Sequence, residues 1–162
     1  MNDVHPIRKK SEANDFIKRT DLIKEVYQGV LADLEKQAKS GIYPPEFVYG
    51  HVIKQLDEFI EYSNEEHPLY TQFMSKINQL DLNQEDVNYF ENEIKRSISE
   101  SVTPGFKVLR DFMIRTQKYA NKNHGIWSQP GGDEYYKLKI RTFTTTDYSP
   151  EEIHQRGRSE VK

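Results

Sequence analysis

The stretch NQEDVNYFENEIKRSISESVTPGFKVLRDFMIRTQKY (residues 83–119) decides the fold class. Asn83 is a suitable N-cap, and the acidic residues that follow it suit the positive end of a helix. Apolar residues then recur with helical spacing at Val87, Phe90, Ile94, Ile98 and Val102. The pair Pro104–Gly105 predicts a kink or an end at that point, after which helical spacing resumes to about Tyr119.

The remaining chain is also dominated by helical periodicity. Apolar spacing and stop signals predict further helices at about 11–19, 21–39, 45–62 and 68–80, and from Ser149 onward. In the second of these, an apolar stripe recurs at Leu22, Val26, Val30 and Leu34. We therefore predict an all-α fold, an irregular array of about six to seven helices. Its main loop, rich in glycine and containing the single tryptophan, spans residues 121–132 and precedes the last two helices.

Residues 136–143 allow two interpretations from pattern alone. Tyr136, Leu138 and Ile140 alternate with basic residues, as in a strand, whereas Tyr136, Ile140 and Phe143 also fit helical spacing. A helix is favoured because no second convincing strand exists to pair with this segment, and a lone strand would leave its backbone unpaired.

Composition excludes several classes of protein. Charged residues make up 30% of the 162 residues and apolar residues 35%, which suggests a thin core or one completed by another segment. The net charge of −3 does not favour nucleic acid or anionic lipid as a partner. Cysteine is absent, which excludes disulfides and thiolate metal sites. No run approaches the ~20 apolar residues of a membrane span, and the first ten residues lack the apolar core of a signal peptide.

The C-terminal motif TTTDYSPEEIHQRG (residues 144–157) combines a folding signal with candidate site residues. Ser149, Pro150 and Glu152 predict a helix start with a capping box. The hydroxyls of Thr144, Thr145 and Thr146 either end the preceding element or line a cleft. His154 is either solvated and structural or part of the same cleft.

The usual catalytic and metal-binding motifs are absent from the sequence. It contains no H-E-x-x-H helix, no G-x-S-x-G elbow and no P-loop. No catalytic residue, metal ligand or cofactor site is therefore predicted in this chain. The loop before Tyr135 and Tyr136 holds Trp127, and these aromatic residues either form a ligand platform or anchor the loop to the core.

Three stretches resemble the DUF885 family, bacterial proteins of unknown function. These stretches are SGIYPPEFVYGHVIKQL (40–56), HGIWSQPGGDEYY (124–136) and TTTDYSPEEIHQRGRSEV (144–161). The resemblance implies a mostly helical protein, a helix at 133–143, and frequent export to the periplasm or as a lipoprotein. It also implies a longer parent with a zinc-metallopeptidase-like helix that lies outside these 162 residues. Under this resemblance the chain is an internal segment, residues 1–162, of a larger DUF885-like domain.

Three functional hypotheses follow from this resemblance. The first is a helical part of a metal-dependent, peptidase-like hydrolase that is inactive alone, with zinc possible only in the full-length parent. In that case Tyr135, Tyr136, Thr144, Thr145, Thr146 and His154 would line or brace the parent's cleft. The second is a stand-alone helical interaction module, which would bind a partner through an exposed apolar groove. For the chain as a whole, the expected partners are the missing segments of a full-length parent or a second copy of the chain. The third is binding of a small ligand or peptide at Trp127, Tyr135 and Tyr136.

Overall fold

The computed structural model describes residues 5–161 of the chain. Eight α-helices lie within this range, and no β-strand does. Their bounds are Lys10–Asp21 (α1), Ile23–Lys39 (α2), Glu46–Glu61 (α3), Pro68–Ile77 (α4), Gln84–Ser97 (α5), Thr103–Thr116 (α6), Gly132–Thr144 (α7) and Pro150–Glu160 (α8). The all-α prediction is confirmed, as is the helix predicted at 133–143. None of the described helices combines the length and apolar composition that crossing a bilayer requires.

Helices α5 and α6 form one continuous helical body. If they are counted as one, the described residues contain seven helical segments. A π-helical turn, Ile98–Val102, joins them without a break in the right-handed backbone. The end predicted at Pro104 is therefore wrong. Proline lacks a backbone N–H and disrupts a regular α-helix at its own position, but here it occupies the first turn of α6, directly after the local change in hydrogen-bond register.

Helices α1 and α2 are separated at Leu22. The sequence predicts the second helix to begin at about residue 21, so Leu22 lies inside the predicted range of that helix. The hydroxyl of Ser101, on the π-helical turn, accepts a hydrogen bond from the Lys24 backbone N–H (3.0 Å) and donates one to the Asp21 carbonyl (2.7 Å). A side chain distant in sequence thus satisfies backbone groups that a continuous helix would pair internally. Arg96 of α5 also binds the Asp21 carboxylate at 2.9 Å.

The long α5–α6 body contributes to both hydrophobic clusters of the core. Its first half packs with α1 and α4 around Ile17, Phe73, Phe90, Ile94 and Ile98. Its second half packs with α3 around Tyr49, Leu56, Phe112 and Met113. Phe106 contacts both clusters, so the stretch at 83–119 organises the whole core.

Helix α2 packs on α6 but leaves one apolar stripe uncovered. Leu22, Val26 and Val30 are all exposed, with Val26 at 60%, whereas Leu34, the fourth residue of the predicted stripe, is half-buried against the cluster around Tyr49. The helix lies close to α6 at Gly105, where an added Cβ would lie 3.3 Å from the Lys24 Cα. The face of α2 that packs is the one that carries Ile23 and Tyr27.

Candidate functional site

The main loop is anchored to the body of the protein by Gln129. Its side-chain amide donates to the Tyr43 carbonyl (2.9 Å), and its amide oxygen accepts from the Tyr43 backbone N–H (3.3 Å). A second link joins the Glu46 backbone N–H to the Asn121 carbonyl at 3.1 Å. The amide of Gln129 thus occupies the two hydrogen-bonding positions that a neighbouring strand would fill.

Helix α7 begins in close contact with this loop. Gly132 lies against the 3₁₀ turn Ile126–Ser128, and a Cβ at this position would collide with the Ile126 carbonyl. Gly131 immediately before it has φ +68°, a left-handed conformation that glycine adopts at little cost. The two glycines therefore set the direction in which α7 leaves the body.

Helices α7 and α8 form a C-terminal arm, residues 132–160, whose main support is this loop. Gly132 is the only buried residue in either helix. Aromatic and aliphatic side chains of α7 remain exposed, with Phe143 the most exposed at 81%. Helix α7 of the arm thus carries apolar side chains that the described structure leaves largely uncovered.

An open groove of about 800 Å³ runs between the two helices of the arm. We call it the arm groove. Four of the seven residues singled out from sequence line it: Tyr135, Tyr136, Thr144 and His154. Its remaining lining is mostly apolar and consists of Ile126, Ile140, Phe143, Pro150 and Ile153 together with Lys139. The mixture of aromatic walls and a few polar groups is typical of a binding groove.

The three threonines have a local structural role that the sequence left undecided. Thr145 caps α7 in a left-handed conformation, φ 54°, and its N–H donates to the Arg141 carbonyl. The Thr144 hydroxyl donates to the Ile140 carbonyl (2.8 Å) and accepts from the Thr146 N–H (3.3 Å). The left-handed backbone of Thr145 therefore ends the helix, and of the three threonines only Thr144 lines the arm groove.

The other singled-out residues lie outside the arm groove. Thr146 lines a neighbouring groove with Arg141 and Asp147, whose side chains are 3.9 Å apart. Trp127 is 64% exposed, and its indole lies over Gly125. The arm groove thus receives the two tyrosines of the predicted aromatic platform, while the tryptophan points elsewhere.

Two charged side chains of the arm, those of Lys139 and Glu152, have local partners. The Lys139 ammonium lies 5.3 Å from the centre of the Tyr135 ring and 5.9 Å from that of Phe143. The predicted capping box is present, with the Ser149 N–H donating to Glu152 at 2.7 Å. Hydrogen bonds from the Ser149 backbone and hydroxyl hold the pKa of Glu152 below its ordinary value, because they stabilise the carboxylate.

Sequence reasoning missed two polar residues that the structure shows to be important, Gln129 and His67. His67 is fully buried, caps α4 by accepting from the Leu69 N–H at 3.2 Å, and packs edge-on against the ring of Phe59. Its Nε2 atom has no partner among the described residues. Burial lowers the pKa of His67. The sequence signal for this cap was Pro68, because proline favours the first position of a helix and the residue before it is then the N-cap, here His67.

No group of three or more His, Asp or Glu side chains within residues 5–161 has the geometry of a metal site. The zinc ion that the DUF885 resemblance implies for a full-length parent stays a prediction.

Comparison with known proteins gives a match over the whole chain. The sequence model of a family described as "Bacterial protein of unknown function (DUF885)" matches residues 1–162. No curated protein matches. The crystal structure of "the putative lipoprotein from Colwellia psychrerythraea" superposes with a TM-score of 0.90 at 27% sequence identity. That match covers 99% of this chain and 28% of the other, so the chain spans little more than a quarter of that protein's length.

Proposed function

The chain belongs to the DUF885 family of bacterial proteins, and on that premise we propose that it forms a non-catalytic wall of a binding cleft in a larger metal-dependent, peptidase-like hydrolase. The observation that carries this proposal is the convergence of Tyr135, Tyr136, Thr144 and His154 on the arm groove. The groove lies in an arm with little support from the core, where an additional polypeptide segment could complete it.

In this proposal the described residues bind and orient, and chemistry is supplied from elsewhere. The tyrosine rings and Ile153 offer apolar contact to a bound chain, while His154 offers a hydrogen-bonding group. In this proposal, zinc and its general base would be held by polypeptide outside residues 5–161. The description of the Colwellia protein as a lipoprotein supports an exported location for the parent, as a proposal.

The test compares this chain with the longer Colwellia protein in a peptide-library hydrolysis assay, with and without zinc and chelator. We expect chelator-sensitive hydrolysis by the longer protein and none by the isolated chain. Chelator-sensitive hydrolysis by the isolated chain would refute the non-catalytic role. A complete lack of hydrolysis by the longer protein under zinc would refute the hydrolase assignment.

A second arm of the test examines the groove itself. Alanine is introduced in the longer protein at the position aligned with Tyr136, and separately at the position aligned with Tyr89, an exposed tyrosine on α5. We expect the first substitution to raise KM with little change in kcat, because it removes a binding contact only. The second should leave both constants unchanged, and equal effects at the two positions would count against a role for the groove.

A second candidate function is a stand-alone interaction module. The observation that favours it is the uncovered apolar side of α7, where Tyr135, Leu138 and Phe143 are all exposed. Either a second copy of the chain or a peptide would bind there. Sedimentation analysis between ~10 and ~500 μM should then show an association that Phe143→Glu abolishes. A chain that remains monomeric and binds no peptide would exclude this function.

A further inference from the structure

A second cavity, distant in sequence from the arm, lies where the end of α1 and the start of α2 meet α4. Its volume is about 210 Å³. Phe16, Ile23, Leu69 and Phe73 form its apolar walls. The Phe16 and Phe73 rings are stacked, with their centres 5.1 Å apart and an interplanar angle of 24°. We call it the α1–α4 cavity, and it shares no lining residue with the arm groove.

The polar residues around the α1–α4 cavity carry only positive charge or none. They are His5, Arg19, Thr20, Gln72 and Lys76, so no carboxylate is among the lining residues that the structure describes. The whole sequence, by contrast, has a net charge of −3. Lys76 already donates to the His5 carbonyl at 2.8 Å, so the argument for an anionic ligand rests on Arg19 and on the lack of a carboxylate among the described lining residues.

Arg19 is the group best placed to bind that anion. One of its Nη atoms donates to the Nδ1 atom of His5 at 3.0 Å, because a guanidinium can only donate. Among residues 5–161 it forms no ion pair with a carboxylate, which leaves its other N–H groups available for a planar acceptor. The Thr20 hydroxyl is already used, since it donates to the Phe16 carbonyl at 2.9 Å.

We propose that the α1–α4 cavity binds a small carboxylate with an aromatic body. The carboxylate would accept hydrogen bonds from the Arg19 guanidinium, and the ring would pack on Phe16 and Phe73 in the cavity. This site is independent of the arm groove and of the proposed hydrolase, because different helices build it. Failure of either proposal leaves the other untouched.

The probe is 4-phenylbutyrate, titrated into the isotope-labelled chain while backbone amide resonances are followed by NMR. We expect saturable shifts at Ile23 and Leu69 with a dissociation constant of about 1 mM or tighter, which is in keeping with a ligand of about a dozen heavy atoms. Acetate lacks the ring and 4-phenylbutyramide lacks the charge, and both should bind at least about tenfold more weakly. Shifts confined to the arm, or none up to ~10 mM, would overturn the proposal.

Two single substitutions on adjacent residues of α1 supply a matched comparison. Arg19→Gln removes the charge at the cavity, and we expect it to weaken binding at least about tenfold, as loss of a charged hydrogen bond does. Lys18→Gln removes the same charge from the neighbouring residue, which lies outside the cavity, and should change the dissociation constant less than about twofold. Equal effects of the two substitutions would refute the assigned role of Arg19. Both residues are exposed, and circular dichroism checks that each variant is folded.

Discussion

Gly105 provides a quantitative test of how α2 and α6 pack. An added Cβ there would lie 3.1 Å from Tyr27 Cδ2 and 3.3 Å from the Lys24 Cα. Neither atom can retreat easily, since the Tyr27 ring packs on Phe106 with centres 5.1 Å apart and the Lys24 Cα belongs to the backbone. Overpacking of this kind costs about 1–3 kcal/mol, whereas replacing a helical glycine by alanine gains up to about 1 kcal/mol.

Gly29 on α2 is the matched control, because nothing lies within 4 Å of its added Cβ. Gly29→Ala should therefore raise the free energy of unfolding by about 0.5–1 kcal/mol. The free energy of unfolding of Gly105→Ala should be lower than that of Gly29→Ala by the overpacking cost, about 1–3 kcal/mol. Urea unfolding followed by far-UV circular dichroism measures both values. Equal stabilisation by the two substitutions would refute the close approach of the helices.

Three further predictions concern His67, Thr145 and Gln129. The lowered pKa of His67 means that the unfolded chain takes up a proton at a pH where the native state does not. Stability should therefore fall as pH decreases from about 6.5, the ordinary pKa of histidine, toward the lower native pKa. His67→Asn keeps a capping acceptor for Leu69 and should make the free energy of unfolding less dependent on pH, as measured by urea titrations at several pH values. An unchanged pH dependence in this variant would contradict the role assigned to His67. Thr145→Gly should relieve the strain of a left-handed β-branched residue, about 1 kcal/mol, and increase hydrogen-exchange protection at the end of α7. Unchanged or reduced protection would be evidence against strain at this cap. Gln129→Leu leaves both backbone groups of Tyr43 without their partner and should cost about 1–3 kcal/mol, with faster proteolysis of the main loop. Gln129→Glu retains only the acceptor, and its loss of stability should equal or exceed about half of that caused by Gln129→Leu. A rate of loop proteolysis equal to that of the wild type in both variants would contradict the anchoring role.

The correspondence between sequence and structure is closest where local interactions decide. The N-cap of α5 and the capping box of α8 are such cases: Asn83 accepts from the Asp86 N–H at 2.8 Å, and Ser149 with Glu152 starts α8 as predicted. These contacts join residues three apart, so their geometry follows from the sequence alone. The same holds for the all-α class, since helical periodicity is a local property of the chain.

The candidate site was predicted only in part. The motif around 135–154 marked the residues that line the arm groove, but spacing could not show that Thr145 serves as a left-handed cap or that Trp127 lies outside the groove. Gln129 was missed because its partner, Tyr43, is 86 positions away. An amide in a glycine-rich loop carries no signal for such a distant backbone partner.

The sequence by itself determined the helical segments, the caps at Asn83 and Ser149, the loop at 121–132 and the lack of cysteine chemistry. Only the tertiary structure decided which apolar residues are covered. Leu22, Val26 and Val30 repeat as regularly as any core stripe yet remain exposed, while Ser101, 80 positions away, binds the backbone at the junction of α1 and α2. The physical reason is that periodicity records which side chains share a helix face, whereas burial depends on which other helix lies against that face.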